Sequence, residues 1–157
     1  KNSYMKARTS AALAAADAEK EYLAFVCGWI RPPGGTLDMP IKRLNEGDML
    51  RVAAPDGQRA VTHYETIGTA LLKGHPVSLL RLRLETGRTH QIRVHLRAAG
   101  HPVLGDTLYC TPESRRVSES LGIASQALHA RRLTFTEPVS GARLTILAPA
   151  PKGIFKY

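Results

Sequence analysis

Between Leu79 and Asp106 the chain reads Leu-Leu-Arg-Leu-Arg-Leu-Glu-Thr-Gly-Arg-Thr-His-Gln-Ile-Arg-Val-His-Leu-Arg-Ala-Ala-Gly-His-Pro-Val-Leu-Gly-Asp, and this run constrains every element around it. From Leu80 to Leu84 apolar and charged residues alternate, which sets Leu80, Leu82 and Leu84 on one face and Arg81, Arg83 and Glu85 on the other. That is the period of a half-buried strand. Gly87 breaks the pattern, and Thr89 to Ala99 then follows helical spacing, with Ile92, Leu96 and Ala99 on one side. Gly100 and Pro102 supply the stop. A strand, a glycine turn and a helix in this order place Arg88 at or just before the helix start. Exposed N–H groups and the helix dipole there favour anions, so an arginine is best explained if its planar fork faces a carboxylate or a phosphate. A solvated arginine at a strand end is the alternative.

The charge balance points the same way. Lys and Arg number 22 against 13 Asp and Glu, a net +9. The segment Arg81 to Arg97 alone holds five arginines and one glutamate. A concentrated basic element beside a glycine turn suits a polyanion, most plausibly nucleic acid. Apolar residues make up 43% of the 157, enough for one globular domain over 1–157 with a real core. No apolar run is long enough to span a membrane. Cys27 and Cys110 form no CxxC pair, which fits a reduced, cytoplasmic protein with free thiols, one disulfide being the other option.

Along the rest of the chain, Thr9 or Ser10 can cap a helix through the alanines to about Lys20. Glu21 to Cys27 reads as a strand, followed by a loop from Gly28 through Arg31-Pro-Pro-Gly-Gly35. Met49 to Ala53 and Ala60 to Ile67 read as two strands of a hairpin around Pro55-Asp-Gly57, and Lys73-Gly-His-Pro76 as a short linker into the central strand. Thr111 and Pro112 mark a helix start. Leu128 to Phe135 and Arg143 to Leu147 read as strands around a turn at Pro138 to Gly141, with Ala148 to Lys152 irregular. The order of elements predicts an α+β domain with a mixed, mostly antiparallel sheet and flanking helices.

The run Glu85-Thr-Gly-Arg-Thr-His-Gln-Ile-Arg-Val-His-Leu96, followed by Gly100-His-Pro-Val-Leu-Gly-Asp106 and Tyr109, resembles the signature of the RluA family of RNA pseudouridine synthases. Lys20-Glu-Tyr-Leu-Ala24 resembles the family's second motif, and Leu37-Asp-Met-Pro-Ile41, Gln58-Arg-Ala-Val-Thr62 before Tyr64, Ala127-Leu-His-Ala130 before Leu133, and Ala148-Pro-Ala-Pro151 follow in the family's order. The resemblance implies a bent, largely antiparallel sheet crossed by an RNA-binding cleft. It also implies isomerisation of uridine to pseudouridine in ribosomal or transfer RNA, without cofactor or metal. The arginine matching Arg88 pairs in that family with the catalytic aspartate. The tyrosine matching Tyr22 stacks on the uracil and places its hydroxyl for proton transfer. The nucleophile itself belongs to a motif His-Arg-Leu-Asp, expected upstream of Lys20 and not found in this chain. Lys42-Arg-Leu-Asn45 carries asparagine and lies downstream, in what reads as a loop. Residues 1–20 are accordingly expected to be a helical remnant of a longer upstream part.

Arg88 and Tyr22 are thus the candidate catalytic residues. Leu128, His90, Gln91 and Arg93 are candidates for contact with the RNA, Leu128 as an apolar wall beneath the base or as an ordinary core leucine. Arg81, Arg83, Arg97, Arg131 and Arg132 are further candidates for phosphates. His90 and His95 stand five apart and share no helix face as an i, i+4 pair does, so no metal site is expected. The competing expectation is a non-catalytic RNA-binding module that kept the cleft and lost the nucleophile.

Overall fold

Alternation along the central stretch demands a strand with neighbours on both sides, and that is what forms. The computed structural model describes residues 3–15 and 17–151. In chain order its elements are helix Ser3–Ala14 (α1), strands Glu19–Cys27 (β1), Gly34–Asp38 (β2), Ile41–Arg43 (β3), Arg51–Ala53 (β4), Val61–Leu72 (β5) and His75–Leu84 (β6), helices Gln91–Ala98 (α2) and Pro112–Leu121 (α3), and strands Leu128–Thr136 (β7) and Arg143–Leu147 (β8). Six strands form one sheet in the order β2-β5-β6-β1-β7-β8, with every pairing antiparallel. Leu80 and Leu82 are fully buried, as the alternation requires. They join Ala24, Val26, Ile92, Leu96, Val103 and Leu104 in the main core. The sheet packs against α2 through that set, so burial of the β6 leucines and of one helix stripe fixes the strand–turn–helix unit that carries Arg88.

Strand β1 changes character along its length. From Leu23 to Cys27 it is buried on both faces, while Glu19, Lys20 and Tyr22 lie at its open end. A β-bulge against β7 falls between Glu21 and Tyr22, where Glu21 pairs with Arg132 and Tyr22 with Ala130. The extra residue, Arg131, belongs to β7, so β1 keeps its own alternation and Lys20 and Tyr22 stay on one face.

Several sequence expectations are corrected. Helix α1 begins at Ser3 and ends at Ala14, so Thr9 and Ser10 lie inside it and not at its cap. Met5, Lys6, Ala7 and Arg8 before them and the alanines after them are all good helix formers. Pro55-Asp-Gly57 does turn the chain, but not into a β4–β5 hairpin. The Gln58 N–H donates to the Ile41 carbonyl at 2.8 Å and the Ile41 N–H to the Gln58 carbonyl at 2.9 Å, so the chain folds back on β3. A Cβ at Gly57 would stand 2.6 Å from the Ile41 backbone, which is why glycine is required there. Strand β4 pairs with β3 instead, Lys42 and Arg43 are strand and not loop, and this small sheet seats Ile41 against Val94 and Tyr109. Lys73 and Gly74 are no linker but the two positive-φ residues (47° and 82°) of a tight β5–β6 hairpin. Helix α3 starts as expected, with Thr111 and Ser114 in a reciprocal capping box. Cys27 and Cys110 are both free thiols. The residues from Ala148 to Pro151 form no regular element, and Lys152 lies outside the described residues.

Two glycines test how tightly this frame is set. Gly105 has φ +71°, and a Cβ there would come 2.1 Å from the Ser125 carbonyl oxygen; Gly100 has φ +82° with open space around it. We expect Gly100→Ala to cost only the left-handed backbone penalty of about 1–2 kcal/mol. Gly105→Ala should cost that plus about 1–3 kcal/mol of overpacking. Urea denaturation midpoints of the two variants check this, and equal losses would contradict the packing described.

Candidate active site

Arg88 owes its position to the residue three places on. Gln91 is 2% exposed, and every polar atom of its amide is engaged. Its Oε1 accepts from the Arg88 backbone N–H at 2.9 Å and from the Thr86 hydroxyl at 2.9 Å. Its Nε2 donates to the Val61 carbonyl at 2.9 Å and to Thr62 Oγ1 at 3.1 Å. The Arg88 N–H can only donate and the Val61 carbonyl only accept, so the orientation of the amide is fixed by its partners. The Val61 N–H closes the ring by donating to Thr86 Oγ1 at 2.8 Å. Beyond Thr62, His95 continues the chain of bonds: Nδ1 accepts from the Thr62 hydroxyl at 2.9 Å and Nε2–H donates to the Met39 carbonyl at 2.9 Å. A buried polar network with every member satisfied holds the Thr86–Gly87–Arg88 turn onto β5.

The turn is completed by His90, which caps α2 in the left-handed conformation (φ 57°, ψ 19°). His90 Nδ1 accepts from the Tyr109 hydroxyl at 2.9 Å, and that hydroxyl accepts from the Arg51 N–H at 3.0 Å. Arg93 grips the fully buried Asp106 with two bonds of 2.6 and 2.7 Å and lies 4.7 Å over the Tyr109 ring. Burial alone would raise the Asp106 carboxyl, but the Arg93 bonds and the N–H groups of Tyr109 and Leu108 together hold it below the usual range. Burial lowers His90, assisted by Arg93 and Arg51, and burial likewise lowers His95.

Arg88 itself is exposed on the far side of this staple. Its Nε donates to the Arg59 carbonyl at 3.0 Å, and among the described residues no carboxylate lies within ion-pair reach. It borders a cavity of about 640 Å³ with Leu84, Gly87, Leu13 and Lys20. Tyr22 borders a second cavity of about 310 Å³, together with Leu13, Lys20, Ala130, Leu133 and Ile146. The two cavities adjoin, since Leu13 and Lys20 line both. Burial raises the Tyr22 hydroxyl above its usual range, so it stays protonated at neutral pH. Leu128 lies two pairs along from Ala130, on Tyr22's side of the sheet, and packs against the main core.

The candidate residues therefore divide. Arg88 and Tyr22 come to adjoining cavities. Gln91 is buried with its amide fully engaged, and Arg93 is part-buried with its Nε and one terminal nitrogen committed to Asp106. His90 is half-buried with one ring nitrogen engaged. Arg81 pairs with Glu65, and Arg131 and Arg132 with Glu21, while Arg83 and Arg97 are exposed. Among the described residues no three His, Cys, Asp or Glu side chains converge as a metal ion needs, and no helix is long and apolar enough to cross a membrane. Lys20 opens the run that resembles the family's second motif but reads in the sequence as a helix end; β1 in fact starts at Glu19, which puts Lys20 two residues from Tyr22 on the same face of the strand.

The profile described as RNA pseudouridylate synthase matches residues 1–98. A ribosomal large subunit pseudouridine synthase D of Xanthomonas campestris pv. campestris is 42% identical over 150 residues, covering 90% of this chain and 44% of that protein. An uncharacterized RNA pseudouridine synthase of Chloroflexus aurantiacus is 46% identical over 134 residues, 84% of this chain and 39% of the relative. The chain thus spans less than half the length of these two relatives. Among solved structures, human RNA pseudouridylate synthase domain containing 1 superposes with a TM-score of 0.77 at 28% identity, over 91% of this chain and 59% of that one.

The buried histidines give a pH test. With their folded values lowered below the unfolded value of about 6.5, both are neutral in the folded state, and the unfolded chain takes up the proton first. Stability should be fully present above about pH 6.5 and fall as the pH drops below it. His95→Gln should be less stable at neutral pH but show a shallower fall between pH 6.5 and 5. Chemical denaturation at stepped pH checks this, and an unchanged slope in the variant would contradict a neutral, network-bound His95.

Proposed function

The chain belongs to the RNA pseudouridylate synthase family, and on that premise we propose that it supplies the base-holding and aspartate-orienting part of an enzyme that isomerises uridine to pseudouridine in structured RNA. The observation that supports this reading is the junction of two cavities, one bordered by Tyr22 and the other by Arg88, with Lys20 and Leu13 common to both. In the isomerisation the N1–C1′ glycosidic bond breaks, the uracil turns, and a C5–C1′ bond forms. N1 gains a proton and C5 loses one, so atoms balance without a cofactor. The Tyr22 ring offers a face for the uracil, which must leave its stack to be reached. Its hydroxyl, kept protonated by burial, is suited to a proton relay.

Arg88 is assigned to the nucleophilic aspartate. Its fork has no acidic partner among the described residues, and no aspartate lines either cavity. The carboxylate that the family's His-Arg-Leu-Asp motif provides would complete a bidentate, charge-assisted pair and be held ionised by it. Gln91 and Arg93 are assigned to positioning: Gln91 sets the Arg88 turn, and Arg93 fixes the Asp106–Tyr109 segment beneath it. Leu128 is assigned to the apolar floor next to Tyr22, and His90 to the edge of the RNA path. The names of relatives such as the Xanthomonas protein favour ribosomal over transfer RNA as the substrate. The free thiols Cys27 and Cys110 agree with work in a reducing, cytoplasmic setting. Among the described residues no aspartate lines the two cavities, which also favours a second reading, a non-catalytic RNA-binding module that kept the cleft and lost the nucleophile.

We expect the full-length protein, but not the isolated 157 residues, to form pseudouridine in an unmodified transcript of large-subunit ribosomal RNA. In the full-length protein Arg88→Lys should lower the single-turnover rate by about two orders of magnitude or more, roughly 3 kcal/mol, although charge is kept. Tyr22→Phe should retain RNA affinity and lose turnover. Base-resolved detection of pseudouridine with parallel binding assays decides the matter. If Arg88→Lys weakens binding and leaves the rate on bound RNA unchanged, Arg88 is a phosphate anchor and the assignment is wrong.

A further inference from the structure

We propose that Lys20 binds the phosphodiester adjoining the target uridine, and so tethers the flipped nucleotide between Tyr22 and Arg88. The proposal rests on the reading of the chain as an RNA-modifying one. Three observations carry it. Lys20 borders both the Tyr22 cavity and the Arg88 cavity, and a third of about 400 Å³ that continues past Arg83 and His63. Its side chain is half-buried at the open end of β1, two residues from Tyr22 and therefore on the same side of the strand. Its ammonium reaches the turn that carries Arg88: a Cβ at Gly87 would stand 3.8 Å from Lys20 Nζ.

The charge of Lys20 is also uncommitted. The neighbouring cations of the Tyr22 cavity, Arg131 and Arg132, are paired with Glu21, and Arg132 also reaches Glu19. Glu85, on the floor of the Arg88 cavity, is taken by Arg59 and His63. Glu19 is further held by Arg143 at 2.9 Å. Lys20 has no hydrogen-bond or ion-pair partner among the described residues. A half-buried, unpaired ammonium where two cavities meet awaits an anion that arrives with the ligand. Arg88, with its planar fork, suits a carboxylate; the compact, rotatable ammonium of a lysine suits a phosphate as a point charge. A nucleotide whose base enters the Tyr22 cavity and whose ribose C1′ faces the Arg88 side carries its phosphate at the common border, which is where Lys20 stands.

The test uses the full-length protein and an unmodified large-subunit ribosomal RNA transcript, with Lys20→Gln and Lys20→Arg. Lys20→Gln should weaken RNA binding by about five- to tenfold and reduce the slope of log affinity against log salt by about 0.7, one single-strand phosphate contact. The loss should appear mainly in affinity, with any fall in the single-turnover rate on saturating RNA smaller than the fall in affinity, since the tether acts first on binding. Lys20→Arg should restore affinity and slope, and thermal melts of both variants should match the parent. Unchanged affinity and slope in Lys20→Gln would overturn the proposal. So would a collapse of the single-turnover rate at unchanged affinity, which would put Lys20 on the reacting atoms. Failure of the unmutated protein to bind or convert RNA overturns the functional reading, and the Lys20 assignment with it; conversion by the parent with an indifferent Lys20→Gln overturns the Lys20 assignment alone.

Discussion

One side-chain amide holds the candidate site together. Gln91 ties the turn that precedes α2 to the β5 strand through four hydrogen bonds, two to groups around Arg88 and two to Val61 and Thr62. An exposed glycine turn between a strand and a helix has many conformations available to it, and ordering it costs entropy. Here that cost is offset locally by an amide whose partners admit only one orientation. Losing any one partner would strand a buried polar group at about 1–3 kcal/mol. Arg88 is exposed, yet its backbone is anchored to the core. Arg88 thus stands on a rigid base while its guanidinium remains available.

The same logic sorts the basic residues. The net charge of +9 is not spread evenly as free charge. Arg59, Arg81, Arg93, Arg131, Arg132 and Arg143 all have carboxylate partners. Most of these pairs are exposed and contribute little stability individually. Their effect on function is to remove cations from competition. Arg88 and Lys20, with no such partner among the described residues, stand at adjoining cavities next to Tyr22. A polyanion approaching this face therefore meets uncompensated charge at the cavities where the chemistry is assigned.

Much of the frame was legible in the sequence because its signals were long. The alternation from Leu80 to Leu84, the Gly87 break and the Thr111–Pro112 helix start each express one physical rule, and each formed as written. Strands β3 and β4 were not legible as a pair: three residues carry no period, and the decisive signal is a close backbone approach of Gly57 to Ile41, which only coordinates reveal. For the candidate site, residue type and motif nominated Arg88 and Tyr22, which the fold brings to adjoining cavities. The inward direction of Gln91 and Arg93 could not be read from them, because α2 is buried on more of its circumference than the Ile92, Leu96 and Ala99 stripe implies. Polar residues on a helix read as surface until the burial of Gln91, Val94 and His95 shows that the helix is embedded. Lys20, although part of the second-motif run, read as the end of a helix, and its position depends on β1 starting at Glu19 and on the cavities around it.

The central claim is that Gln91 acts on catalysis through Arg88. A double-mutant cycle on the single-turnover rate of the full-length protein tests it most directly, with Gln91→Met, which keeps side-chain length and removes the amide, and Arg88→Lys as the two arms. If Gln91 works by holding the Arg88 turn, the double variant should be scarcely slower than Arg88→Lys alone, because the geometry that Gln91 protects has already lost its purpose. If the two losses simply add, Gln91 serves the reaction by a route independent of Arg88, and its role as the anchor of the catalytic turn is contradicted.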